Sequence, residues 1–242
     1  MQLQEKFRSI FHRGSETPAP ARASSHAGSS HASPAHSGPN LSFLKSTRKE
    51  LQTTRPSRGL EQFFFNLQGQ VGLSILDLAG ASQQNIDFLT NLGHKVYSAN
   101  VAYSMDECFG TDPSGQMNPG RIDYFLKSIF DYPPETFDGI LMWDSMQFMG
   151  PALLNATVER LTDIMRPRSY LLAFFTVNDK VQEVPAFNFR IQDSKTLLVT
   201  ERGLKPTGHV VNNRSLEKLF GKCESVKFFL SRENLREVIV RR

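Results

Sequence analysis

Residues 72–85 read GLSILDLAGASQQN, and the fold of the chain follows from how this stretch is parsed. Residues 74–78 are a short apolar run interrupted by one acid, Asp77, and Ala79, Gly80, Ala81 and Ser82 then supply small residues where a chain turns tightly. From residue 83 to 92, Ile86, Phe88 and Leu89 recur at helical intervals, so the unit reads strand, small-residue turn, helix. In an open α/β sheet a ligand sits outside the carboxyl end of such a strand, where backbone N–H groups and a helix N-terminus converge.

The flanking segments extend the pattern in both directions. Upstream, Leu60, Phe63, Phe64 and Leu67 mark a helix over residues 59–67 behind Pro56, and its aromatic cluster suits a core more often than a pocket wall. Downstream, Asn91-Leu92-Gly93 closes the first helix, and residues 94–101, HKVYSANV, alternate as a second strand with Asn100 at its end. Residues 103–121, rich in Gly, Pro, Asp and Met, read as a long loop, either a lid or an insert. Residues 123–130 fit a helix and a strand equally.

FDGILMWD, residues 137–144, is a buried strand introduced by Pro133-Pro134, with a loop at 145–150. A helix over 151–165 turns Leu153, Leu154, Val158, Leu161, Ile164 and Met165 inward, and Arg166-Pro167 stops it. The next strand, residues 170–177, is apolar throughout, as parallel strands covered on both faces are. Residues 178–213 break this rhythm and read as an insertion with one short strand at 196–200. A short helix over 213–220 follows, capped by Gly221, and strands at 226–230 and 235–241 are joined by four residues. That connection is too short for a parallel crossover, so the pair is an antiparallel hairpin. The predicted fold is α/β: a Rossmann-like, doubly wound, mostly parallel sheet with a C-terminal antiparallel hairpin.

Composition limits the function classes. Of 242 residues only 39% are hydrophobic, and the shortfall lies in the first forty, where Ser, Ala, Pro, His and Gly dominate residues 14–40. Such a segment cannot bury enough apolar surface to offset its ordering entropy, so it reads as a disordered linker, with a globular domain over 41–242. His26, His31 and His36 sit five residues apart with no Cys or carboxylate among them, and no metal site is expected. Ahead of the linker, Leu3, Phe7, Ile10 and Phe11 alternate with Lys6, Arg8 and Arg13. Residues 1–13 therefore suit a short basic amphipathic helix, open to three readings: a docking peptide for a membrane or a partner, an organelle presequence, or a frayed tail. The net charge of +4 is interspersed, which does not point to nucleic acid. No apolar run is long enough to span a membrane, and Cys108 and Cys223 lie far apart, in keeping with reduced thiols in a cytoplasmic setting.

On these residues the chain resembles the class I S-adenosylmethionine-dependent methyltransferases over about residues 60–242. The matching motifs are the strand and turn Leu76-Asp77-Leu78-Ala79-Gly80-Ala81-Ser82, the strand at 137–144 with its polar loop, and the Pro-containing turn at 166–169 before the next strand. The closing hairpin separates this family from dinucleotide-binding dehydrogenases, whose G-x-G-x-x-G is also absent. The resemblance implies S-adenosylmethionine as cofactor, with Asp77, Ala79, Gly80 and Ala81 at its methionine end, Asn100 at the ribose, and Asp123 or Tyr124 at the adenine. It also implies Asp144, Ser145 and Gln147 at the mouth of the site to orient an unknown methyl acceptor, Asp144 as a base; their other reading is strand-end capping. Phe187, Phe189 and Arg190 fall where the family builds substrate pockets.

Two departures separate this chain from the family pattern. The turn keeps one glycine where the family has two or three, and Asn100 replaces the acid that accepts both ribose hydroxyls, a hydrogen bond without charge assistance. Cofactor binding is therefore expected to be weaker than in an ordinary member, or lost, the chain then being an inactive methyltransferase-like binding or scaffold module.

Overall fold

The computed structural model describes residues 52–110, 113–177, 182–209, 212–231 and 235–242. The expectations for residues 1–13 and for the linker at 14–40 lie outside them. In chain order the elements are β1 (Gln52–Pro56), α1 (Arg58–Leu67), β2 (Ser74–Asp77), α2 (Gln83–Asn91), β3 (Lys95–Ser98), α3 (Val101–Phe109), α4 (Pro119–Phe130), β4 (Phe137–Trp143), α5 (Pro151–Ile164), β5 (Met165–Thr176), β6 (Glu183–Asp193), β7 (Thr196–Pro206), α6 (Asn213–Leu219), β8 (Ser225–Leu230) and β9 (Leu235–Arg241). Two 3-10 segments, Pro113–Met117 and Ser145–Phe148, complete the set.

Six strands form one sheet in the order β3-β2-β4-β5-β9-β8. The first four are parallel; β9 runs antiparallel to β5, and β8 antiparallel to β9. Period-two alternation divides the sheet's side chains between two cores. Leu76, Ile140, Met142, Leu171, Ala173 and Val240 pack with α3, α4, α5 and α6. Ile75, Leu141, Trp143, Leu172, Phe174 and Ile239 pack with α1 and α2. Both faces are thus covered, which is why these strands read as continuous apolar runs.

A second sheet, β1-β7-β6, is fully antiparallel, and it lays Phe189, Ile191, Leu197 and Val199 on the same core as α1 and α2. The sequence suggested one short strand here, whereas β6 and β7 are eleven residues each. Register shifts explain why the signal was hidden. In β6 the buried residues are Val184 and Ala186, then Phe189 and Ile191, so the alternation changes phase at the bulge between Ala186 and Phe187.

The long loop expected at 103–121 is instead mostly helical. Val101, Met105 and Phe109 recur every four residues and bury one face of α3, whose first turn is capped by the Asn100 side chain. The ambiguous 123–130 segment belongs to α4, where Asn118 accepts from Gly120 N–H (2.9 Å) and Arg121 N–H (3.2 Å) and Pro119 occupies the first turn. The helix α5 ends at Ile164 and the chain enters β5 directly at Met165, five residues before the predicted strand. One buried acid ties the two sheets' connection: Glu237 of β9 accepts from Ser57 Oγ (2.9 Å) and from Gly59 N–H (2.5 Å) at the start of α1. Among the described residues no helix is long and apolar enough to cross a membrane.

Candidate active-site crevice

The carboxyl ends of β2 and β4 meet where the sequence motifs placed a site, and the local chemistry there is dominated by Asp77. Its carboxylate is 1% exposed and accepts three hydrogen bonds: from Trp143 Nε1 (2.6 Å), from Asn85 Nδ2 (2.8 Å) and from Ala79 N–H (3.1 Å). Burial raises its pKa and the three donors only partly oppose this. Every strong acceptor direction of Asp77 is therefore turned inward. Trp143 reaches it from a left-handed backbone, φ 56°, beside a register shift at the end of β4, a conformation that costs a non-glycine residue about 1–3 kcal/mol.

Gly80 turns at φ 94°, a conformation L side chains rarely adopt, and a Cβ there would lie 3.0 Å from Asn100 Nδ2. The close approach that demands glycine is thus made by Asn100. The Asn100 oxygen in turn accepts from Tyr103 N–H (3.0 Å) as the cap of α3. Ala79 and Asn100 form an isolated bridge that locks the two strand ends together.

The hairpin of β6 and β7 lies across this crevice. Phe189 is 2% exposed and stacks on Trp143, ring centroids 5.3 Å apart and planes 7° from parallel, with Phe174 and Phe187 at its edges. Asn85 bridges the crevice to the hairpin: its oxygen accepts from Ile191 N–H (2.8 Å) while its amide holds Asp77. Gln84 Nε2 donates to Ile191 O (3.0 Å) beside it. What remains between Leu78, Ala79, Asn100, Trp143 and Phe187 is a cavity of about 30 Å³, space for roughly one water. Sites for small-molecule ligands enclose roughly 300–1,000 Å³, so S-adenosylmethionine does not fit this crevice while β6 covers it.

Asp144, Ser145 and Gln147 are all buried beside the crevice. Asp144 accepts from Phe187 N–H (2.9 Å), and burial pushes its pKa up to about 6. The Gln147 side-chain oxygen accepts from Thr176 N–H (2.9 Å) and its backbone oxygen from Gly208 N–H (2.9 Å), while its Nε2 is buried without a hydrogen-bond partner among the described residues. Ser145 is 5% exposed. It borders a second cavity of about 560 Å³ walled by α3, both 3-10 segments and the end of β7, including Met105, Met117, Phe148, Arg202 and Lys205. Ala102, Ser145 and Arg202 border both cavities, so the two adjoin.

Asp123 and Tyr124 border neither cavity. Asp123 pairs with Lys127 (2.8 Å) on the solvent face of α4, and Tyr124 is 67% exposed on the same helix, because Ile122, Phe125 and Ile129 take the inward positions. Phe189 is a core residue that also lines the small cavity, and Arg190, its neighbour on β6, lies on the exposed face of the strand. Phe187 does line the small cavity, with the Arg55 guanidinium 5.7 Å from its ring centre. The residues that sequence reasoning missed are Asn85, Trp143 as a donor to Asp77, Arg202 and Lys205. Asn85 is a buried amide in the first turn of a helix, and nothing in a single sequence separates it from an exposed one. Among the described residues no group of three or more His, Cys, Asp or Glu is arranged to hold a metal ion.

No family model matches the chain. No curated protein matches it either. Solved structures do. A Burkholderia thailandensis 1,6-didemethyltoxoflavin-N1-methyltransferase is 10% identical over 76% of each chain, with a TM-score of 0.43. A SAM-dependent methyltransferase from Archaeoglobus fulgidus is 14% identical over 76% of this chain and 91% of that one, with a TM-score of 0.46. The PH0226 protein from Pyrococcus horikoshii OT3 is 12% identical over 76% and 87%, also at 0.46. At such identities the likeness concerns the backbone alone. The parallel strands β3-β2-β4-β5, closed by the reversed β9 and its partner β8, form the Rossmann-like, mostly parallel sheet with a C-terminal antiparallel hairpin that the sequence predicted.

Proposed function

We propose that this chain is an S-adenosylmethionine-dependent methyltransferase whose cofactor crevice is held shut by its own β6. The observation that supports the reading is one of placement. The fold sets the small-residue turn at Gly80 beside Asp144 and Ser145, and a ligand-sized cavity opens at Ser145 next to the turn. With β6 displaced, Asp77, Ala79, Gly80 and Ala81 border the methionine end of the crevice, and Asn100 is the residue nearest a ribose. Bound there, the cofactor supplies an electrophilic methyl group; the chain's part is to position an acceptor and exclude water. Asp144, Ser145 and Phe187 orient the acceptor in this reading, and the acceptor enters through the larger cavity. A cytoplasmic setting, and docking to a partner or membrane surface through residues 1–13, belong to the same proposal.

A second reading is favoured by a specific observation. Asn100 spends its oxygen on α3 and fills the space above Gly80, which is what an inactive fold retained as a binding or scaffold module would show. Titration calorimetry of the full chain with S-adenosylmethionine and S-adenosylhomocysteine separates the two. Asn100→Asp keeps the helix cap, since Asp and Asn cap equally well, and restores the charged ribose acceptor. The methyltransferase reading expects the wild type to bind weakly and Asn100→Asp to bind about tenfold more tightly, the gain of one charge-assisted hydrogen bond. No heat from either protein at millimolar ligand refutes it and leaves the scaffold reading.

A further inference from the structure

The polar groups around the 560 Å³ cavity are unequally committed. Lys205 pairs with both Asp106 oxygens at 3.0 Å, and the Gln116 oxygen accepts from Gly150 N–H (2.5 Å). Arg202 has no hydrogen-bond or ion-pair partner among the described residues, although it is the one lining residue shared with the small crevice that carries a charge. Its position is built. Ala186 pairs with Gly203 and Phe187 with Glu201, so Arg202 is the extra residue of a β-bulge, and Gly203 at φ 115° accommodates the bend. Bulges re-aim a side chain beside functional sites, and this one directs a guanidinium to the junction of the two cavities. The apolar part of the wall is adaptable: Met105, Met117 and Phe148, two thioethers and an aromatic edge that suit a flat ring.

We infer that this cavity binds a small aromatic carboxylate, its ring between Met105, Met117 and Phe148 and its carboxylate on Arg202. The donors left open set the sign of the ligand. Lys205 is held by Asp106, and Asp144, whose charge is felt by both cations, bonds Phe187 N–H, so the guanidinium N–H groups of Arg202 are left without a hydrogen-bond partner among the described residues. A planar carboxylate matches the two parallel N–H donors of a guanidinium, which a neutral amide does not. A volume of about 560 Å³ lies within the range of small-molecule sites and admits one or two rings. The site stands on its own geometry. Calling its occupant the methyl acceptor rests on the methyltransferase reading above.

The test uses the full chain and two probes of the same shape, 1-naphthoate and its neutral counterpart 1-naphthamide, titrated by calorimetry at neutral pH and low salt. Naphthoate is expected to bind about tenfold more tightly than naphthamide, with the difference shrinking as salt screens the exposed pair. Arg202→Ala is expected to lose that difference, with naphthamide unchanged, and Arg202→Lys to restore part of it. Ala102→Phe, on the shared wall, is expected to abolish both while the far-ultraviolet circular dichroism stays that of the wild type. Equal affinity for the two probes, no binding of naphthoate at millimolar concentration, or an Arg202→Ala protein that still prefers naphthoate would overturn the inference. S-adenosylhomocysteine titrated into the same samples keeps the two proposals apart. Naphthoate bound through Arg202 without any nucleoside binding supports the anion site and removes only its assignment to a methyl acceptor.

Discussion

Replacing Phe189 by alanine is expected to weaken the fold and strengthen ligand binding at once. The ring is 2% exposed, lies flat on Trp143 and meets Phe174 at 5.0 Å. Deleting a buried phenylalanine costs about 3–5 kcal/mol. In the wild type, uncovering the crevice exposes this ring, at about 1.5–3 kcal/mol of apolar transfer. It also breaks two aromatic contacts worth about 0.5–1.5 kcal/mol each. Releasing Phe187 N–H from Asp144 adds about 1 kcal/mol. These terms sum to about 3.5–7 kcal/mol in favour of the closed state, and apparent affinity falls by the open fraction, at least a few hundredfold. Phe189→Ala removes the ring terms and leaves the hydrogen bond, so S-adenosylhomocysteine is expected to bind about a hundredfold more tightly, while urea unfolding shows the loss of stability. A residue with only a packing role lowers both quantities. Unchanged or weaker binding by a variant that keeps its circular dichroism would refute the occlusion by β6.

Asp144 predicts a pH dependence. Its folded pKa of about 6 lies above the unfolded value near 3.8, so the folded state keeps the proton longer and stability falls as pH rises from about 4 through 6. Asp144→Asn is therefore expected to be more stable than the wild type at pH 8, by up to about 3 kcal/mol, with the difference disappearing near pH 4; equal melting differences at both pH values would contradict this. Asn85→Ala removes one of the three donors to the buried Asp77 and the side-chain acceptor of Ile191 N–H, and is expected to cost about 2–4 kcal/mol in urea unfolding, more than an ordinary buried hydrogen bond. Asp123→Ala on the outer face of α4 is expected to change stability by no more than about 0.5 kcal/mol and to leave nucleoside and naphthoate binding untouched, whereas a role at an adenine would show as weaker binding.

Much of the architecture was legible in the chain because parallel strands buried on both faces leave contiguous apolar runs. That made residues 74–78, 137–144 and 170–177 readable, and a four-residue link forced β8 and β9 into a hairpin. The helix α3 was hidden because its capping residue, Asn100, looked like a ligand contact, and its Asp, Glu and Tyr positions face solvent. The second sheet was hidden because bulges shift the phase of β6 against β7, so no alternation survives along the sequence. In the site, Asp144 and Ser145 line the same small cavity as Ala79 and Asn100, since all follow strand ends in one sheet. Asp123 and Tyr124 lie on the outer face of α4, since a helical face is decided by which residues fill the core.

What the sequence determined by itself is the order of strands and the turn at Ala79-Gly80-Ala81, because local residue size and apolar period dictate both. Only the tertiary structure decided what the turn faces. Segments distant in the chain meet there, Asn85 reaching Ile191 across 106 residues and Trp143 stacking on Phe189, and a covered crevice arises from that meeting, which no local pattern encodes.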